Sequence, residues 1–527
     1  MLLGGAVLSA SSAAAAAPAD PGGSAGPGAE APPNCDTDGT QPKSQLRGLW
    51  IASVVNINWP SKAGLPAEQQ RADYIHLLDQ AVSMRMNAVF VQVRPTADSF
   101  YNSPYEPWSQ YLTGVQGQDP GYDVLGFLVA EAHKRNLEFH AWFNPYRVSM
   151  QADPNQLAPT HPARLHPDWV HAYGGKLYYD PGVPAVREFD EKVIEDVVRK
   201  YDIDGVHFDD YFYPYPVGTA DFPDDATYAQ YGAGYANKAD WRRDNVNRLV
   251  RELHQQIHAI KPWVKFGISP FGIWRNAATD PLGSETNGLQ SYDAIYADTR
   301  RWVKEGWVDY LAPQIYWNIG FPAAAYDKLV AWWSDVARGT GVPIYVGQAA
   351  YKIGAASPAG WLNPEEMPNH LVLNRQYPEI AGDIWYNIQS VIDNPLGFRD
   401  RLTSDFYRHP ALVPVIDRLG GHAPPPTAQL PARAGDGGVT LHWLRAAGKA
   451  TYYAVYRFDG VVPRPGCGMA DASHLVATVR GTRDAVNSWT DETVQPGTTY
   501  TYYVTALDRL HHESHPSNPV VTRTHAS

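Results

Sequence analysis

Eight short apolar runs, alternating with amphipathic stretches, constrain this chain more than any other feature. They are "LRGLWIAS" (46–53), "NAVFVQVRP" (87–95), "EFHAWFNPY" (138–146), "DGVHFDDY" (204–211), "KFGISPFG" (265–272), "YLAPQIYW" (310–317), "PIYVGQAAY" (343–351) and "GDIWYNIQS" (382–390). Between several of them lie helical patterns at 69–86, 123–135, 187–200, 239–260 and 292–305. Strand–helix alternation implies a parallel sheet, since parallel strands need long crossovers. Eight repeats predict an α/β fold, a (β/α)8 TIM barrel over residues 45–420 with long insertions. An open doubly wound sheet is the runner-up, but no G-x-G-x-x-G follows the first run.

The pattern changes after residue 420. "GHAPPPTAQLPAR" (421–433) reads as a proline-rich linker. Short alternating runs such as "TYYAVYRFDG" and "TYTYYVTALD" follow, which predicts a small all-β, immunoglobulin-like sandwich over 434–527. Trp443 on an early strand and "TYTYYVTALD" resemble a fibronectin type III module. At the other end, "MLLGGAVLSASSAAAAAPAD" holds an apolar segment and an A-x-A pattern at Ala17-Pro18-Ala19. That predicts a signal peptide over 1–19, although the usual basic start is absent, then a disordered linker over 20–44. The expected location is secreted, extracellular or wall-associated. No later segment is apolar enough for a transmembrane helix.

Composition narrows the partners. A net charge of −12 argues against nucleic acid, because phosphate binding needs a basic face. The 17 Trp and 32 Tyr suit stacking on sugars, though a large core absorbs aromatics too. The two cysteines, Cys35 and Cys467, form neither a disulfide framework nor a metal-type pair. A single bridge between them is compatible with an exported chain.

Within "DGVHFDDYFYP", Val206 and Phe208 share one strand face, and His207 and Asp209 the other. The apolar pair should face the helices, and His207 and Asp209 the barrel interior. Asp210 sits at the strand tip, free to swing beside Asp209. The same count places Arg94, His140, Trp142, Asn144, Gln314, Tyr316 and Trp385 near the strand ends, with Asp98 on the loop after the second run and Trp317 at the tip of the sixth, where barrel active sites are built. So many polar groups there suggest a hydrogen-bonding cup for a polyhydroxylated ligand. His140 and His207 equally suit satisfied core positions, Arg94 a structural ion pair, and Trp142 and Trp385 plain packing. Asp204 reads as a turn residue. Two adjacent carboxylates resist joint ionisation, so Asp209 and Asp210 invite a catalytic reading. A metal held by His140, His207 and Asp209 lacks tight ligand spacing, so neither metal nor cofactor is expected.

"RGLWIASVVNINWPS", "VQVRPTADSFYNSPYEPWSQYLTG", "GYDVLGFLVAEAHKRNLEFHAWFNPYR", "DGVHFDDYFYP", "GISPFGIWRN" and "DYLAPQIYW" resemble the glycosyl hydrolase-like family 10 proteins, over about residues 45–400. The resemblance implies a secreted glycoside hydrolase whose substrate is a polysaccharide, with peptide-free peptidoglycan strands the best-supported class. It does not imply the two glutamates of family 10 xylanases, because the fifth and sixth runs offer none at their ends. An adjacent Asp-Asp pair ending a fourth strand is similar to enzymes that remove O-linked N-acetylglucosamine by substrate-assisted hydrolysis. By that resemblance Asp209 orients the acetamido group and Asp210 is the general acid, its pKa raised by its neighbour's charge. Asn144, Gln314 and Tyr316 would steady the sugar. The alternatives are a retaining glycosidase with Asp209 as nucleophile and Asp98 or Glu106 as acid, and a non-catalytic glycan-binding protein.

Overall fold

A computed structural model describes Cys35 and residues 37–525, apart from 436 and 449. The leader expected over 1–19 and most of the linker expected over 20–44 lie outside the described residues. Residues 41–44, at that linker's end, lie against the barrel: Gln41 donates to the Asp405 carbonyl at 2.6 Å and Ser44 pairs with Leu412.

Eight parallel strands close into a barrel in sequential order, with helices outside. They are β1 (Leu46–Ile51), β2 (Ala88–Arg94), β3 (Glu138–Phe143), β4 (Gly205–Phe208), β5 (Lys265–Ile268), β6 (Tyr310–Leu311), β7 (Ile344–Gln348) and β8 (Ile380–Trp385). Each falls at or within one of the eight expected runs, or overlaps it, and β1 pairs with β8 to close the ring. Strands β1 to β5 are buried at every position, which is why they read as apolar runs rather than as alternation.

Two apolar layers result. Val89, Val91, Phe139, Ala141, Val206 and Phe208 join the layer beneath the helices. Trp50, Phe90, Trp142, Tyr310, Tyr345 and Ile384 fill the lumen. The lumen is crowded with rings, so the strands beside them carry glycine. A Cβ on Gly205 would lie 2.3 Å from His140 Nδ1, and one on Gly267 would lie 2.1 Å from the Tyr310 ring.

Beyond β3 the chain makes a three-stranded antiparallel excursion (147–149, 170–173 and 176–179) before the helix Pro184–Lys200. The long helix Lys238–Ile260 is capped by the Asn237 side chain, which accepts from the Asp240 amide.

The C-terminal part is all β. One sheet joins β9 (Gln429–Gly435), β10 (Gly438–Leu444) and β13 (Val486–Asp491). The other joins β12 (Leu475–Arg480), β11 (Tyr452–Asp459), β14 (Thr499–Leu507) and β15 (Val520–Arg523). Strand β10 alternates buried and less buried positions, and Val439, Leu441 and Trp443 pack with Tyr453, Val455 and Tyr502. These sheets and the barrel form one compact unit, Thr37–Ser527. They meet at the N-terminal ends of the barrel strands: Arg509 binds Asp202 and Asp204 just before β4, and His511 binds Glu138 at the start of β3. Asp204, expected as a turn residue, is therefore an ion-pair anchor. Among the described residues no cysteine is free, and no helix is long and apolar enough to cross a membrane.

Candidate active site

At the C-terminal ends of the strands the barrel opens into a cleft of about 540 Å³, within the usual range for a ligand site. Strand register builds its floor. Phe143 of β3 pairs with Phe208 of β4, so the next residues, Asn144 and Asp209, emerge side by side. Asn144 Nδ2 donates to both Asp209 oxygens, at 3.1 and 3.0 Å, and Trp142 Nε1 donates to Oδ2 at 3.0 Å. The Tyr211 amide donates to Oδ1 at 3.1 Å, so three donors fix this carboxylate.

Asp210 turns the other way. Its Oδ1 accepts from Gln314 Nε2 at 2.9 Å, and its Oδ2 from the Tyr215 hydroxyl. Gln314 lies past the end of the two-residue strand β6, where bridges to Phe271 and Gly347 hold its backbone. Its amide also donates to the Ser269 carbonyl at 2.9 Å.

Both carboxyls are buried, and burial raises both pKa values. Asp209 is pushed up to about 6: burial and the charge of Asp210 outweigh Arg147 and the Asn144 hydrogen bond. Asp210 is raised by burial but held back by Tyr215 and Gln314. Between the two carboxyls, the charge repulsion expected to lift Asp210 acts instead to lift Asp209. The pair titrates as a unit.

Aromatic rings wall the cleft. Tyr316 lies 6.3 Å from Tyr386, and Phe271 lies 5.5 Å from Trp317, by ring centroids. Arg147, Lys176 and Lys352 also line it.

The expected site residues divide in three. Asp209, Asp210, Trp142, Gln314, Tyr316 and Trp317 line the cleft. Asn144 and His207 lie directly behind it. Asn144 is spent on Asp209 and, through Oδ1, on the Arg147 amide, so it positions the carboxylate instead of meeting a sugar. His207 holds Ser269 Oγ at 3.0 Å and the Tyr310 hydroxyl at 3.0 Å, and accepts from Trp50 Nε1 at 3.1 Å. Burial and the neighbouring His140 drive its pKa well down, so it is a neutral core histidine.

The remaining four lie elsewhere. A bulge between Gln92 and Arg94 shifts the β2 register, so Arg94 pairs with outward-facing Phe143. Its five donors go to Glu106, Asp190 and the carbonyls of Asn144 and Pro145. Asp98 is fully buried beneath its own loop, accepting from Thr96 and Gln116, and burial pushes it up to about 7. His140 sits deeper in the lumen, between the Tyr310 hydroxyl at 3.0 Å and Glu138 at 3.1 Å. Trp385 faces the helices, packed on Phe398, because the lumen position on β8 belongs to Ile384.

Arg147, Tyr215 and Tyr386 were missed. All three lie past a strand end, where face counting has no purchase; the clue to Arg147 was the polar "NPYR" closing the third run. His140, His207 and Asp209 do not converge as metal ligands: both histidines face Tyr310, and Asp209 faces Asn144 and Trp142. Among the described residues the one group spaced for a metal is His254, His258 and Asp309, and none of these lines the cleft.

The model of the family described as Glycosyl hydrolase-like 10 matches residues 45–362. The chain is 52% identical over 485 residues to Glycosyl hydrolase YngK of Bacillus subtilis (strain 168), covering 90% of this chain and 93% of that protein. It is 42% identical over 381 residues to Glycosyl hydrolase DigH of Escherichia coli (strain K12), covering 68% of this chain and 86% of that one. Among solved structures, the PgaB (BpsB) glycoside hydrolase domain from Bordetella bronchiseptica aligns with a TM-score of 0.44 and 13% identity, over 69% of this chain and 99% of that chain.

Proposed function

The chain belongs to the glycosyl hydrolase-like 10 family, and from that premise we propose that it is a secreted glycoside hydrolase of acetamido-sugar polymers, peptide-free peptidoglycan strands above all. One observation carries the reading: the two carboxylates lining the cleft are Asp209 and Asp210. The rival scheme, with Asp209 as nucleophile, needs an acid from Asp98 or Glu106. Both are sealed away, Glu106 against Arg94.

An adjacent pair suits substrate assistance. The substrate's own acetamido oxygen attacks the anomeric carbon, and the bond to the leaving oxygen breaks as Asp210 delivers there the one proton that the coupled pair holds, with Asp209 ionised. Asp209 accepts the acetamido N–H and stabilises the positive charge growing on the cyclic intermediate. A carboxylate offers about four lone-pair sites. Three donors make four contacts with Asp209, two on each oxygen, so the acetamido N–H would take over the site that Asn144 shares between them. Water then opens the ring, returning its proton to Asp210. Tyr316 and Trp317 supply apolar faces for the sugar rings.

Digesting purified peptide-free strands, with products read by mass spectrometry, tests the activity: new reducing ends are expected. Replacing the 2-acetamido group by a 2-hydroxyl tests the chemistry. The rate should collapse, and comparable cleavage, or a glycosyl ester trapped on Asp209, sinks substrate assistance. Full glycan affinity with no product release would mark a binding protein instead.

A further inference from the structure

Three cations and two carboxylates line the cleft, in a chain of net charge −12. Resting on the reading above, we propose that Arg147 and Lys176 form a carboxylate-binding subsite beside the acid pair. It selects acetamido sugars bearing a free acidic substituent, such as the lactyl ether of a peptide-free strand, over neutral polymers.

The two side chains lack the partners that charged groups near a protein interior normally have. Arg147 is only 4% exposed. Its Nε and Nη2 donate to the Pro95 carbonyl at 3.2 and 3.1 Å, and its guanidinium lies over the Tyr211 ring at 4.9 Å from the centroid. Nη1 makes no hydrogen bond among the described residues, and no carboxylate comes within ion-pair distance. Buried Arg94 and Arg242 differ: each grips two carboxylates.

Lys176 reaches the same cleft from the excursion sheet, with neither hydrogen bond nor ion pair among the described residues. Burial, and then the charge of Arg147, lowers its pKa, which places the two cations within each other's field. The third cation, Lys352, has one donor fixed by the backbone: its Nζ donates to the Tyr316 carbonyl at 2.6 Å. Two cations in one cleft, neither held in an ion pair, repel each other, and an incoming anion relieves that.

The position says which anion. Arg147 follows Asn144 by three residues, and its charge acts on both Asp209 and Asp210. A bound anion would therefore lie on the sugar being cleaved or on its neighbour. A peptide linked through the lactyl carboxyl turns that anion into a neutral amide, so the subsite would also favour stripped strands.

The test compares peptide-free strands with the same strands after carbodiimide conversion of their lactyl carboxyls to primary amides. The wild-type enzyme should lose about tenfold or more in kcat/KM on the amidated strands, mostly in KM, as expected for a charge-assisted hydrogen bond. Lys176→Gln should shrink that ratio severalfold by weakening the native substrate alone, and Lys176→Arg should restore it. Equal kcat/KM on both strands in the wild type, or an unchanged ratio in Lys176→Gln, overturns the subsite while leaving the hydrolase reading intact. Reducing ends from neither strand would bring down both.

Discussion

The two ends of the barrel bury acidic groups in opposite ways. At the N-terminal end, Glu138 meets Lys265 at 2.6 Å, His511 at 2.9 Å and His140 at 3.1 Å. Asp204 meets Arg509 at 2.8 Å and His133 at 2.7 Å. Burial alone would raise these carboxyls, but the cations reverse it, and both are held below the ordinary range. At the C-terminal end, Asp209 and Asp210 have amides, an indole and a hydroxyl for partners, and both are raised. Buried charge is therefore no functional mark by itself. What separates the two ends is that the basal charges are neutralised within the fold, whereas Asp209 and Asp210 border an open cleft.

The largest effect expected from this contrast is on turnover. Asp210→Asn keeps an acceptor for Gln314 but removes the proton. It should cost roughly 10²–10⁴-fold in kcat on natural glycans, the usual worth of general acid catalysis. A substrate with an activated phenol leaving group needs little protonation, so the variant should keep much of its rate there. Equal losses on both substrates would remove Asp210 from the acid role. Asp209→Asn should damage both, because acetamido attack precedes help to the leaving group.

The opposite end should answer with stability instead. Lys265→Met leaves Glu138 buried without its main cation, and breaking one side of a buried pair typically costs about 3–5 kcal/mol. A drop of several degrees in thermal midpoint, with kcat near wild type, is expected. A loss of kcat larger than the loss of stability would mean that the two ends are coupled, and would break the comparison.

How much of this was readable follows the same division. All eight barrel strands were legible, since strands buried on both faces are largely apolar, with polar exceptions such as Gln92, His140 and His207. Face assignment succeeded where a strand ran straight: Trp142 and Asp209 share a side as counted. It failed at Arg94, because a bulge cannot be seen in "VQVRP". It failed on β8 because the outer face also holds polar groups, as where Asp383 accepts from Gln348 and Asn374, both at 2.8 Å. The basal network was out of reach, since Glu138 and His511 are joined only by folding.

Acidity separates the ends next. The site pair should be active while it holds one proton. The higher of its two steps lies at about 6, judging by Asp209, so kcat/KM should fall as pH rises through that value, approaching tenfold per unit. Proton loss there leaves no acid. The basal carboxylates have lowered pKa values, so their contribution to stability is present at neutral pH and is lost only as pH falls below the ordinary carboxylate range. The fold should therefore remain intact throughout the fall in activity. Near-ultraviolet circular dichroism across the same pH range checks this, and unfolding that tracks the activity would merge what the comparison separates.

The smallest effect concerns one hydroxyl. Tyr215 donates to Asp210 and favours its charged form, which lowers that carboxyl's pKa. Tyr215→Phe removes the donor and keeps the ring, which packs on Tyr211 and Phe271. Asp210 should then hold its proton more tightly. A hydrogen bond to a charged group is worth about 1.5–3 kcal/mol, and one pKa unit corresponds to about 1.4 kcal/mol. The alkaline fall in kcat/KM should accordingly move up by about one to two units, with less than tenfold lost at the maximum, since a weaker acid transfers its proton less readily. At pH 7 the two effects oppose each other, so the variant should there lie close to wild type. A limb that stays in place would show that the hydroxyl receives Asp210's proton in the free enzyme instead of donating its own. The acid would then be pre-aimed at Tyr215, and would have to turn towards the substrate before it could act.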